Sequence, residues 1–183
     1  MNVYRNPFHQ YQWLNQHYFR NGMNRWYQQQ YVQNPSNVYP AYAVSRVTDY
    51  GTNPFVINIT EATRKNNNFR TVLWTGDHLQ LTLMSINVGE DIGLENHPNL
   101  DQFLRIEAGQ GVVQMGKNKE RLDFQRRVQD DSAILIPAGT WHNLINTGNV
   151  PLKLYSIYSP PQHPPGTTHE TKAIAIAAEE NHH

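Results

Sequence analysis

The stretch Gly89-Glu-Asp-Ile-Gly-Leu-Glu95-Asn-His97-Pro-Asn-Leu-Asp-Gln102-Phe-Leu-Arg-Ile-Glu-Ala-Gly109-Gln-Gly111 decides how the chain is read. Glu95 and His97 lie two apart, and in a strand such positions share a face. Pro98-Asn99 favours a turn, after which Gln102 can come back on the neighbouring strand. A second stretch, Pro137-Ala-Gly-Thr-Trp-His142-Asn-Leu-Ile-Asn146, brings one more imidazole. Glu95, His97, Gln102 and His142 are therefore read as a metal site inside a β-barrel.

Outward from these stretches, short apolar runs recur between turn residues. Strands are expected at 54–59, 69–74, 79–88, 92–97, 102–107, 111–115, 122–128, 132–136, 142–146 and 152–158. Thr75-Gly-Asp, Gly109-Gln-Gly, Met115-Gly-Lys-Asn, Asp130-Asp and Thr147-Gly-Asn-Val-Pro supply the turns. Many short strands without intervening helices indicate an all-β sandwich or barrel. Ser159-Pro-Pro-Gln-His-Pro-Pro-Gly cannot enter a sheet. Thr167 and Glu170 fit a capping box, with Thr167 as N-cap, ahead of a helix over 173–180. Arg105 and Glu107 should face away from the site and pair with each other, and Asn146 reads as structural.

Composition narrows the chemistry. With 183 residues, one domain with a real core fits, plus a tail. Net charge is zero, so nothing points to nucleic acid or an anionic membrane as partner. The absence of cysteine removes disulfides and thiolate ligands, so a metal must be held by imidazole, carboxylate, amide or water. No apolar run is long enough to span a membrane, and the first residues lack the apolar core of a signal peptide. A soluble, cytoplasmic protein is expected. No phosphate loop, dinucleotide fingerprint, nucleophile elbow or His-Glu-x-x-His motif occurs.

Residues 1–45 differ from the rest. They hold most of the tyrosines, are rich in Gln and Asn, and have no Asp or Glu. Such a segment reads as a flexible low-complexity extension, with self-association as its sharper role. Residues 46–183 are taken as the globular domain.

The paired motifs resemble those of the cupin superfamily. Its first motif runs Gly-x5-His-x-His-x3–4-Glu-x6-Gly, and Gly89, Glu95, His97, Gln102 and Gly109 fall at those spacings. Its second runs Gly-x5-Pro-x-Gly-x2-His-x3-Asn, matched by Asp131, Pro137, Gly139, His142 and Asn146. The resemblance covers roughly residues 79–158 and is closest to small single-domain bacterial cupins, often labelled sugar-isomerase-like. It implies a single double-stranded β-helix, or jelly-roll, barrel and a homodimer. Two ligand positions depart from the pattern: Glu95 replaces a histidine and Gln102 replaces the glutamate. The set still holds one carboxylate and three neutral donors. Its shift towards oxygen favours Mn²⁺ or Fe²⁺ over Cu²⁺, with Zn²⁺ and Ni²⁺ also able to fit.

An ionised Glu95 inside a barrel would be costly without a cation, and this is the physical argument for a metal. Tyr158, His163 and His169 could close the barrel mouth, with Tyr158 or His163 as a catalytic proton donor. Two function classes remain. One is a metal-dependent enzyme on a small polar ligand, such as a sugar derivative or an organic acid, with isomerase- or dioxygenase-type chemistry. The other is a non-catalytic ligand-binding or structural protein, such as a spore-coat component, acting through the N-terminal extension.

Overall fold

Alternation of buried and outward residues builds the sheets. On one strand Gln102, Leu104 and Ile106 turn inward, and on another His142, Leu144 and Asn146 do the same. In the computed structural model, residues 49–180 are described; the expectations for residues 1–45, and for His182 and His183, lie outside them. The elements are α1 (Ile59–Lys65), β1 (Arg70–Thr75), β2 (Gln80–Ile86), β3 (Asp101–Ala108), β4 (Gln110–Gly116), β5 (Phe124–Gln129), β6 (Ala133–Ile136), β7 (Trp141–Asn146), β8 (Leu152–Ser159), β9 (Thr168–His169) and α2 (Lys172–Glu180).

One sheet has the order β6-β3-β8-β2-β1-β9 and the other β5-β4-β7, all neighbours being antiparallel. The core joins both sheets: Met84, Ile86, Leu104, Ile106, Leu152 and Leu154 from the larger, Val113, Val128 and Leu144 from the smaller. Each such side chain removed from water contributes about 1.5–3 kcal/mol. The expected all-β jelly roll with a short C-terminal helix is what the chain forms.

Paired residues share a face of the sheet. Gln102 pairs with Tyr158 and Tyr158 with Gln80, so these three form one inward row. Ile106, Leu154, Met84, Arg70 and His169 form another. The first row carries the site at one end of the larger sheet, and the second brings a cation into the same interior.

Turns sit where backbone conformation demands them. Gly109 joins β3 to β4 at φ +94, and a Cβ there would lie 3.0 Å from the Pro151 carbonyl oxygen. Asp131, at the position where the cupin pattern has glycine, adopts φ +68. An aspartate tolerates that left-handed region better than most residues. Its carboxylate accepts from Arg105 Nη2 at 2.6 Å, while Arg105 also pairs with Glu107 as expected.

Three expectations need correction. Residues 54–58 pair with no strand, and Ile59 begins α1. The β-branched run there suggested a strand; the Asn58 side chain, accepting from the Glu61 N–H at 3.1 Å, caps a helix instead. Residues 92–97 form no strand, only isolated bridges at Asp91 and Glu95. Thr167 and Glu170 are not a capping box. Their carbonyls accept from Val72 and Phe69 N–H groups alongside β1, and Thr171 takes the cap, its Oγ1 accepting from Ile174 N at 3.3 Å.

Asn146 is structural, as expected. Its Nδ2 donates to the carbonyls of Ile86 and Val150, and its Oδ1 accepts from Gly148 N, each at 2.9 Å. Asn146→Ala leaves these buried groups unpaired and should cost about 2–4 kcal/mol. The urea midpoint should fall accordingly; an unchanged midpoint would show that the bonds contribute nothing.

Candidate metal centre

Glu95 reaches the site because its backbone is fastened to β7. Glu95 N donates to His142 O and His142 N to Glu95 O, both at 3.0 Å. Two residues on, the His97 carbonyl accepts from Gly139 N at 2.8 Å. The β2–β3 connection is thus tied at two points to the stretch carrying His142. These ties, rather than strand alternation, bring Glu95 and His97 to one place.

The side chains then converge. Glu95 Oε1 lies 3.1 Å from His142 Nε2 and 3.5 Å from His97 Nε2. The three ligating atoms all fall within 4.8 Å of one another. His142 is buried, and Glu95 retains 21% of its side-chain exposure. The opposite ring nitrogen, His142 Nδ1, lies 2.9 Å from the Thr140 carbonyl oxygen. A carbonyl can only accept, so Nδ1 carries a proton and Nε2 is the ring nitrogen that faces Glu95. His97 Nε2 is buried without a hydrogen-bond partner among the described residues.

Gln102 stands on β3, buried, with Nε2 donating to Ser156 Oγ at 3.0 Å. That bond orients the amide, leaving Oε1 as a buried acceptor without a partner. Acceptors collected in this way suit a cation. Burial works to raise the Glu95 carboxyl, but the His142 and His97 imidazoles beside it outweigh burial and hold it well below the usual carboxylate range. Glu95 is therefore an anion at neutral pH.

Tyr158 and His163 lie beside the cluster. The His97 ring meets His142 at 5.6 Å between centroids and Tyr158 at 5.7 Å, and Tyr158 meets His163 at 5.2 Å. Burial, with the Glu95 charge, pushes the Tyr158 hydroxyl up to about 12. Burial, with the Arg70 charge, pushes His163 down to about 3 and lowers His169 as well.

The residue-by-residue reading did not foresee Gln80 and Arg70. Gln80 is fully buried and fastens the proline-rich loop over the mouth: Oε1 accepts from His163 N at 2.9 Å, and Nε2 donates to His163 O at 2.8 Å. Arg70 is 2% exposed. Each shares its strand face with a buried neighbour two residues on, Thr82 for Gln80 and Val72 for Arg70, and strand pairing sets that face inward. Trp141, by contrast, turns away from His142 as expected and meets Lys119 Nζ at 5.8 Å from its ring centroid.

The family model for the cupin domain matches residues 82–158, which include both motifs and all four expected ligands. Over 132 residues the chain is 71% identical to uncharacterized protein YrkC of Bacillus subtilis (strain 168), covering 72% of this chain and 71% of YrkC. The chain belongs to the cupin family. Another relative of this cupin is uncharacterized protein L612 of Acanthamoeba polyphaga mimivirus, 49% identical over 113 residues, 61% of this chain and 69% of L612. The crystal structure of BH2720 from Bacillus halodurans matches the cupin with a TM-score of 0.71 and 71% identity, covering 72% of this chain and 99% of that one. Among the described residues, no helix of the cupin is long and apolar enough to cross a membrane.

The lowered His163 pKa makes stability depend on pH. Between its ordinary value of 6.5 and about 3, an unfolded chain takes up a proton that the folded one refuses. The stabilisation is therefore complete above pH 6.5 and is lost as pH falls towards 3. Urea unfolding at pH 7 and 4.5 should show a smaller acid-induced loss in His163→Gln than in the parent; equal losses would refute this assignment.

Proposed function

We propose that this cupin is a metal-dependent enzyme acting on a small polar substrate, with isomerase- or dioxygenase-type chemistry on a sugar derivative or an organic acid. The observation that carries the reading is the meeting of Glu95 Oε1, His97 Nε2 and His142 Nε2 within 4.8 Å. Buried acceptors repel one another unless a proton or a cation lies between them. Glu95, His97 and His142 would hold the ion, and Gln102 Oε1 would be the fourth donor.

Two nitrogens and two oxygens favour Mn²⁺ or Fe²⁺. A divalent ion held there supplies Lewis acidity towards a substrate oxygen. Around it, the chain's own groups set the protonation pattern. Tyr158, at about 12, keeps its proton at neutral pH and acts as a hydrogen-bond donor or acid, not as a base. His163, at about 3, stays neutral beside it. Gln80 holds the 162–163 backbone across the mouth and so limits the entry of water.

Metal analysis of protein purified without a His-tag tests the reading. Stoichiometric Mn or Fe is expected in the parent. Glu95→Ala and His142→Ala should lose it, and Gln102→Ala should bind about tenfold or more weakly. Metal content unchanged in His142→Ala would overturn the assignment. At free metal near 100 times Kd, metal removal should also lower stability by about 2.7 kcal/mol, visible as a fall in Tm.

A further inference from the structure

Arg70 stands in the barrel interior with a single ion-pair partner among the described residues. The guanidinium is 2% exposed, and its Nη1 donates to Glu179 Oε1 at 3.0 Å. Glu179 itself is 60% exposed, at the end of α2. Arg70 Nε is buried with no hydrogen-bond partner among the described residues. Two ring nitrogens share that condition: His163 Nε2 and His169 Nδ1. His169 is the cross-strand partner of Arg70, and His163 touches Tyr158. Two buried ring nitrogens unpaired among the described residues therefore neighbour a buried cation whose own Nε is unpaired.

A buried guanidinium is costly unless its N–H groups are matched. One contact with a mostly exposed carboxylate leaves Arg70 under-matched. The guanidinium is a planar fork that suits a carboxylate through two parallel hydrogen bonds. Here one arm holds a carboxylate and another is free. Burial works against the Arg70 charge, yet Tyr158, Glu95 and Glu179 more than offset it, and the side chain stays cationic.

We propose that Arg70, with His163 and His169, is a carboxylate-binding subsite beside the metal cluster, and that Glu179 of α2 holds the guanidinium until a substrate carboxylate takes it over. The subsite narrows the substrate to a small organic acid. One carboxylate lies on Arg70 and another oxygen reaches towards Glu95, His97 and His142; this last clause rests on the metal reading. The same contact makes Glu179 an internal competitor, so α2 must yield its hold on β1 as the acid enters.

The test is titration calorimetry of the full chain with malonate, its neutral diamide and inorganic phosphate, alongside metal analysis of every sample. Malonate should bind and the diamide should not. Arg70→Lys should weaken malonate about tenfold or more, because a single ammonium cannot form the fork. Glu179→Gln alters only an exposed side chain and should tighten malonate about three- to tenfold by removing the competitor. Equal malonate affinity in Arg70→Lys, no tightening in Glu179→Gln, or phosphate binding tighter than malonate would each overturn the proposal. Full metal content without Arg70-dependent malonate binding removes the subsite and leaves the metal centre. Arg70-dependent malonate binding in a parent that holds no metal supports the subsite and removes the metal reading.

Discussion

Two backbone hydrogen bonds exchanged between Glu95 and His142 hold the site together. They join the long β2–β3 connection to β7, parts of the chain nearly fifty residues apart. Without them Glu95 would lie on a loop, and no sheet register would place its carboxylate against two imidazoles. The His97 carbonyl to Gly139 N bond fixes the same loop a second time. Gly139 adopts φ +75 there, a conformation that a side chain would strain. The turn geometry of the second motif thus positions donors of the first.

This arrangement conflicts with stability if considered alone. Carboxylate, imidazole and amide groups are gathered where water is scarce, and several lose hydration without gaining a partner among the described residues. His97 Nε2, Gln102 Oε1, His163 Nε2 and Arg70 Nε are all buried without partners. The buried amides of Asn146 and Gln80, by contrast, are bonded at both oxygen and nitrogen. Thr63, Thr82 and Asn143 also carry unmatched oxygens, but the ring and amide atoms of His97, Gln102 and His163 belong to residues in contact or in register with Glu95 and Tyr158, as at a binding site.

Much of this was legible in the sequence. The turns at Gly89, Gly109, Asp131 and Gly139 all have positive φ, so the motif spacing reports backbone geometry as well as ligands. Inward alternation on β3 and β7 could be read directly, and it placed Gln102 and His142. Glu95 and His97 do not come together by strand alternation, as their i, i+2 spacing suggested, since their segment forms bridges rather than a strand. Residues 54–59 and 167–170 were misread because propensity and capping patterns are local. Each was decided by a competing partner: the Asn58 side chain in one case and the edge of β1 in the other. Arg70 was overlooked because a charged residue in a strand is ordinarily solvated, and only the pairing with Met84 and His169 turns it inward.

The two departures from the family's ligand pattern make sense as a displacement of charge. Placing the carboxylate at 95 and the amide at 102 leaves the set's total unchanged but moves the anion off β3. Gln102 then faces Ser156 and Tyr158, where a carboxylate would stand directly beside a buried hydroxyl. At 95 the anion instead sits beside two imidazoles, and its charge still acts on Tyr158 and Arg70. The interior thus holds an anion and a cation, Glu95 and Arg70. A ligand of the class proposed above would offer a group to each. Tyr158 is in ring contact with both His97 and His163, which links the side chains next to Glu95 with those next to Arg70.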